Sequence, residues 1–183
     1  EEMHSGCEVI HLTKNYRSTN CIVDLINKSI KHMSLPDLEA VKYGDNGTRL
    51  LSFASDDAEY EFVIQGILAS ELPRNEIFVL ARTNKQLNEL SVLMKARGIK
   101  HVTKSDDSEQ NILTMDDEVT LATVHAIKGM EAESVFLIGC TSNNFPCRGS
   151  EHPVIDMVKV DEYDKDEEEK RLFYVGMSRA KTS

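Results

Sequence analysis

Three short apolar runs constrain this chain most: Ile77-Phe-Val-Leu-Ala81, Val119-Thr-Leu-Ala-Thr123 and Ser134-Val-Phe-Leu-Ile138. Each has the length of a buried strand, and amphipathic stretches alternate with them. That order is the β-α-β signature of an α/β fold with a mostly parallel central sheet flanked by helices. Ser18 or Thr19 caps a first helix with Ile22, Ile26, Ile30 and Met33 in one stripe. Asp56 or Asp57 opens a second, with Phe62, Ile64, Ile67 and Leu68 inward, ending near Leu72-Pro73. A third runs from about Asn84 to Arg97 and stops at Gly98. Further strands are expected at Val9–Leu12 and Leu50–Phe53, separated by a loop marked by Pro36, Gly44 and Gly47. Residues 104–118 and 141–153 read as loops. The last helix runs from about Asp164 to the end, with Leu172 and Val175 in its stripe and Asp166–Lys170 and Glu167–Arg171 as i,i+4 pairs.

Composition narrows the function classes. Lys and Arg number 21 against 31 Asp and Glu, a net charge of −10. That excludes a simple DNA-coating protein, which needs cations for phosphates. Half of the charge sits in 161–170, where seven acids face two lysines, so the remainder can still carry a small basic track. The longest apolar run, Val135–Cys140, is far too short to span a membrane, and the opening EEMHSGCE is no signal peptide. A soluble intracellular, cytoplasmic protein without membrane contact is expected. Cysteines at 7, 21, 140 and 147 have no C-x-x-C spacing and read as reduced thiols, with no metal site. The text stops after Ser183 without a terminator, as expected of a piece of a longer chain.

No G-x-x-x-x-G-K-[ST] occurs, so no phosphate loop is present. Met157-Val-Lys-Val-Asp161-Glu162 imitates a metal-binding strand end, but Lys159 and the acidic tract make it a solvated loop. Three other segments are dense in functional groups. In Leu12-Thr-Lys-Asn-Tyr16-Arg17-Ser18, an aromatic able to stack on a base precedes an arginine able to reach a phosphate. Val119 to Glu131 carries a strand into a turn holding Thr123, His125, Lys128, Gly129 and Glu131. A glycine beside a carboxylate suits close approach to a sugar hydroxyl, and His125 and Thr123 suit phosphates or sugars of a strand. In Glu167 to Ala180, Arg179 shares a helical face with Leu172 and Val175 and points into a cleft or snorkels to water. All three lie at strand-to-loop or helix junctions, where ligands bind in open α/β sheets.

NYRS, T-x-H-x-x-K-G-x-E and E-E-x-x-R-L-x-Y-V-G-x-[ST]-R-A together resemble motifs IV, V and VI of the UvrD/Rep-like superfamily 1 DNA helicases. Ala81-Arg82-Thr83-Asn84 resembles motif IVa, and the likeness spans residues 8 to 181. The resemblance implies a RecA-like, P-loop NTPase-type fold lacking its own phosphate loop. It implies that residues 1–183 are the second motor lobe, the C-terminal one, of an ATP-dependent 3′–5′ helicase. ATP and Mg2+ would be held mainly by an N-terminal lobe of the same parent, and the isolated domain would be an inactive monomer. Tyr16 would stack on adenine, Arg17 and Arg179 would act catalytically at the γ-phosphate, and Gly129 and Glu131 would lie at the nucleotide, Glu131 on the ribose. Arg82, Asn84, Thr123 and His125 would touch single-stranded DNA. Two departures stand out: the short linker 104–118 replaces an accessory domain inserted in relatives, and Cys147 replaces a histidine of Phe-Pro-His. The rival reading is a non-hydrolysing helicase-like scaffold in DNA repair or replication, against which the retained Arg17, Glu131 and Arg179 speak.

Overall fold

A computed structural model describes residues 10–31, 35–44, 47–104, 115–145 and 165–183, with side chains of the last helix from Glu168 onward. The elements follow as β1 (Lys14–Thr19), α1 (Asn20–Ile30), β2 (Glu39–Lys42), α2 (Asp56–Ala69), β3 (Ile77–Ala81) and α3 (Asn84–Ala96). After these come β4 (His101–Lys104), β5 (Val119–Thr123), β6 (Ser134–Leu137) and α4 (Lys165–Met177). Four strands form a wholly parallel sheet in the order β4-β5-β3-β6, and β1 pairs with β2 in parallel beside it.

Every residue of β3 and β5 is buried, because side chains alternate between two covered faces. Ile77, Val79, Ala81, Val119 and Leu121 pack with Tyr60, Val63, Ile64 and Ile67 of α2 and Leu87, Leu90 and Met94 of α3. Phe78, Leu80 and Ala122 pack on the other face with Val124, Ile127 and Leu172 of α4. Helix α1 lays Ile22, Ile26 and Ile30 against Ala180, Tyr174 and Met177.

Residues 179–183 stitch the two sheets together. Ala132 N–H donates to Arg179 O at 3.1 Å, Lys181 N–H to Ala132 O at 2.9 Å, and Thr19 N–H to Lys181 O at 2.9 Å. The last residues thus fill the gap between β6 and β1.

The boundaries correct several expectations. Val9 lies outside the described residues; Ile10 to Leu12 form no strand and Leu12 is 90% exposed. The strand is instead the polar Lys14–Thr19, held by backbone pairing rather than by apolar burial. Leu50–Phe53 forms no strand, and β2 lies in the span read as loop. Phe62 and Leu68 face outward; the buried stripe of α2 is Tyr60, Val63, Ile64 and Ile67, the i, i+3, i+4, i+7 set. Strand β4 forms where the sequence carries no strand pattern, and the last helix ends at Met177 rather than running to the end of the chain. Met33, residues 105–114 of the linker, Cys7, Cys147, the 157–162 segment and the side chains of Asp166 and Glu167 lie outside the described residues.

Past β6, Gly139 has φ +65°, a conformation that favours glycine. Its N–H donates to the Glu59 carboxylate at 3.1 Å, and its carbonyl accepts from Asn144 Nδ2 at 2.9 Å. A Cβ there would run into the Gln86 amide. Gln86 Oε1 accepts from Thr83 N–H at 3.3 Å and from Thr83 Oγ1 at 3.1 Å, capping α3. Gly139→Ala therefore adds backbone strain and displaces a cap, and should destabilise the domain by about 2–3 kcal/mol. Urea unfolding with a lower midpoint and unchanged slope would show it.

Candidate functional site

Strand β1 presents Arg17 toward the turn before β6. Asn15 Oδ1 accepts the N–H groups of Arg17 (3.0 Å) and Ser18 (2.9 Å), and Ser18 Oγ donates to Ala180 O at 2.7 Å. These bonds hold the strand's backbone while the arginine reaches out. Arg17 Nε donates to Glu131 Oε2 at 2.6 Å, and Nη1 to Ser178 O at 3.2 Å. Neighbouring Tyr16 is 66% exposed, leaving its ring accessible.

Arg179 lies just past α4. Nε donates to Val175 O at 3.1 Å, Nη1 to Met130 O at 3.2 Å, and Nη2 to Ser178 Oγ at 3.0 Å. Ser178 brackets both guanidiniums, its carbonyl on Arg17 and its hydroxyl on Arg179. Burial lowers the Arg179 pKa from its ordinary value and the charge of Arg17 lowers it further, with Tyr174 and Glu131 opposing. The two guanidiniums thus share Ser178, with Glu131 as the carboxylate beside Arg17. Gly129 has φ +85°, and no atom stands near where its Cβ would be. The glycine is there for the backbone turn that delivers Glu131.

Lys181 completes the cluster. Its Nζ lies 3.7 Å from Glu76 Oε2, 3.6 Å from Glu131 Oε1 and 3.6 Å from Glu133 Oε1. Burial pulls its pKa down, but the carboxylates of Glu76, Glu133 and Glu131 together push it above the usual lysine range. Sequence reading missed Ser178 and Lys181. The available signal was their position beside Arg179, but their partners lie across the fold.

Arg82, Asn84, Thr123 and His125 gather at one edge, the carboxyl ends of paired β3 and β5, where Ala81 stands opposite Thr123. Their settings differ. Asn84 is exposed at the first position of α3, and His125 is half-buried in the turn after β5. Thr123 is 3% exposed, and its Oγ1 accepts from Ala126 N–H at 3.2 Å. Arg82 turns inward, giving Nε to Glu169 Oε2 at 2.9 Å and Nη2 to Glu169 Oε1 at 2.7 Å. Parallel β5 and β6 force the intervening turn to cross the sheet. It therefore carries His125 at the carboxyl end of β5 and Glu131 at the amino end of β6. The Arg17–Glu131–Arg179 cluster is thus on the opposite edge from Asn84 and His125, not at carboxyl strand ends throughout. No group of three His, Cys, Asp or Glu side chains suited to a metal occurs among the described residues. Among those residues no helix is long and apolar enough to cross a membrane.

The family described as UvrD-like helicase C-terminal domain matches residues 10–108 and 102–183. A probable DNA helicase II homolog of Mycoplasma pneumoniae is 30% identical over 141 residues, covering 73% of this chain and 18% of the relative. DNA helicase II of Escherichia coli is 40% identical over 67 residues, covering 37% of this chain and 8% of the relative. ATP-dependent DNA helicase PcrA of Leuconostoc citreum is 44% identical over 75 residues, covering 41% and 8%. The chain thus spans less than a fifth of the length of these relatives. Among solved structures, the C-terminal domain of a possible DNA helicase from Lactobacillus plantarum has the same fold, with a TM-score of 0.59. That likeness covers 92% of this chain and 85% of the other at 16% identity.

Proposed function

This chain belongs to the UvrD-like helicase C-terminal domain family, and from that premise we propose that it is the second motor lobe of an ATP-driven 3′–5′ DNA translocase. The observation that carries the reading is the pairing of Arg17 and Arg179 on Ser178, with Glu131 as counter-ion. Two guanidiniums brought together on Ser178 match the charge that develops on a transferring phosphoryl group. Tyr16 offers its exposed face to the base, Glu131 takes the ribose, and Arg17 and Arg179 take the γ-phosphate. A companion lobe of the parent supplies the phosphate loop and holds Mg2+.

Asn84 and His125 meet the single strand directly. Thr123 acts from behind, fixing the turn that carries His125, and Arg82 fixes α4 against the sheet. The crossing turn between β5 and β6 joins strand grip to nucleotide. ATP closes the cleft between lobes and hydrolysis reopens it, so the grip alternates.

The test compares the full-length parent with this lobe alone. The parent should hydrolyse ATP with strong stimulation by single-stranded DNA, and the lobe should turn over ATP at no more than background. Robust turnover by the lobe alone would sink the assignment. A parent inert with every strand tried would favour the scaffold reading.

A further inference from the structure

We propose that Lys181 is the positioning residue that keeps Glu131 aimed at the nucleotide once Arg17 leaves it for the phosphates. The proposal rests on the reading that Arg17 and Glu131 both contact ATP. Without nucleotide the two neutralise each other: Arg17 Nε and Glu131 Oε2 are 2.6 Å apart. A bidentate grip on a phosphate through Nε and Nη2 requires that contact to yield, because the single Nε–H serves one acceptor. A triphosphate, with several charges and many acceptor oxygens, is the stronger partner for the guanidinium.

Glu131 is then a half-exposed carboxylate that has lost its closest cation. Its two oxygens have different partners, however. Oε2 faces Arg17, while Oε1 faces Lys181 Nζ at 3.6 Å. Release of Arg17 leaves the second contact intact. Lys181 is itself well anchored. Its backbone is bonded on both sides, to Ala132 and to Thr19, in the segment that joins the sheets. Its ammonium sits among Glu76, Glu131 and Glu133, and the side chain is 21% exposed. Glu76 Oε2 also accepts Glu133 N–H at 3.2 Å, which fixes one of those carboxylates to the start of β6. Lys181 therefore stays put while Arg17 swings, and Glu131 keeps its direction.

The experiment is strand-stimulated ATP hydrolysis by the full-length parent carrying Lys181→Met, Lys181→Arg, Glu131→Gln, or Lys181→Met with Glu131→Gln. Lys181→Met should raise the KM for ATP about five- to tenfold and leave kcat within about twofold. Lys181→Arg should restore KM to within about twofold of wild type. The double variant should match Glu131→Gln alone, because Lys181 acts through Glu131. A double variant whose KM rise is the product of the two single rises would overturn the proposal. So would an unchanged KM in Lys181→Met beside a raised KM in Glu131→Gln, and that outcome leaves the ATP-site reading standing. An unchanged KM in Glu131→Gln removes both. If Lys181→Met does not fold, Lys181→Gln, which keeps part of the stem and a donor, is read in the same way.

Discussion

Arg179→Ala in the full-length parent should lower strand-stimulated ATP turnover by about a thousandfold or more, the range in which an arginine aimed at a transferring phosphoryl group acts. Three protein acceptors, Val175 O, Met130 O and Ser178 Oγ, fix the Arg179 guanidinium. Little reorganisation therefore remains when charge builds on the phosphate. Arg179→Lys should recover little, since one ammonium cannot reproduce a planar fork on three acceptors. Folding stability should change far less than the rate. The substitution loses three hydrogen bonds to half-buried groups, but it also relieves the burial and the repulsion by Arg17 that together lower the Arg179 pKa. Kinetics with saturating ATP and single-stranded DNA, beside a melting curve, separates the two. A kcat within about threefold of wild type would remove Arg179 from the reaction and leave a scaffold as the better reading.

The sequence discloses the parts of this fold whose cause is local. Strands β3 and β5 were legible because both faces are covered, which favours continuous apolar runs, and β6 because it keeps the apolar Val135-Phe-Leu run although it is only half-buried. Strands β1, β2 and β4 were not, because KNYRST, EAVK and HVTK carry no such pattern. Their stability comes from backbone partners far away in the chain, such as Lys181 O for Thr19 N–H. The site divides in the same way. Arg17, Glu131 and Arg179 stood in recognisable wording, and the fold brings them together. Ser178 and Lys181 act only through that convergence, across separations no spacing rule reports. The choice of direction at Arg82 was also illegible, since its partner Glu169 hides within an acidic run that reads as solvated surface.

That hidden pair yields the second large effect. Arg82 and Glu169 are bound by two short hydrogen bonds, and the Glu169 side chain is 9% exposed. Arg82→Met takes the guanidinium from a carboxylate with little access to water, at a cost of about 3 kcal/mol. For a domain of this size that corresponds to a melting point lower by about 10 °C. Arg82→Met with Glu169→Leu removes both charges and should recover most of the loss, because a buried ion pair is worth little more than an apolar contact of similar volume. The same variants decide what Arg82 does for the strand. If it is mainly a direct phosphate contact, Arg82→Met leaves the melting point unchanged. The salt slope of single-strand binding by the parent then falls by about 0.7, the share of one phosphate. If it works from behind, holding α4 to the end of β3, the melting point falls, the salt slope stays, and the double variant regains both stability and affinity. The inward turn of the guanidinium favours the second outcome.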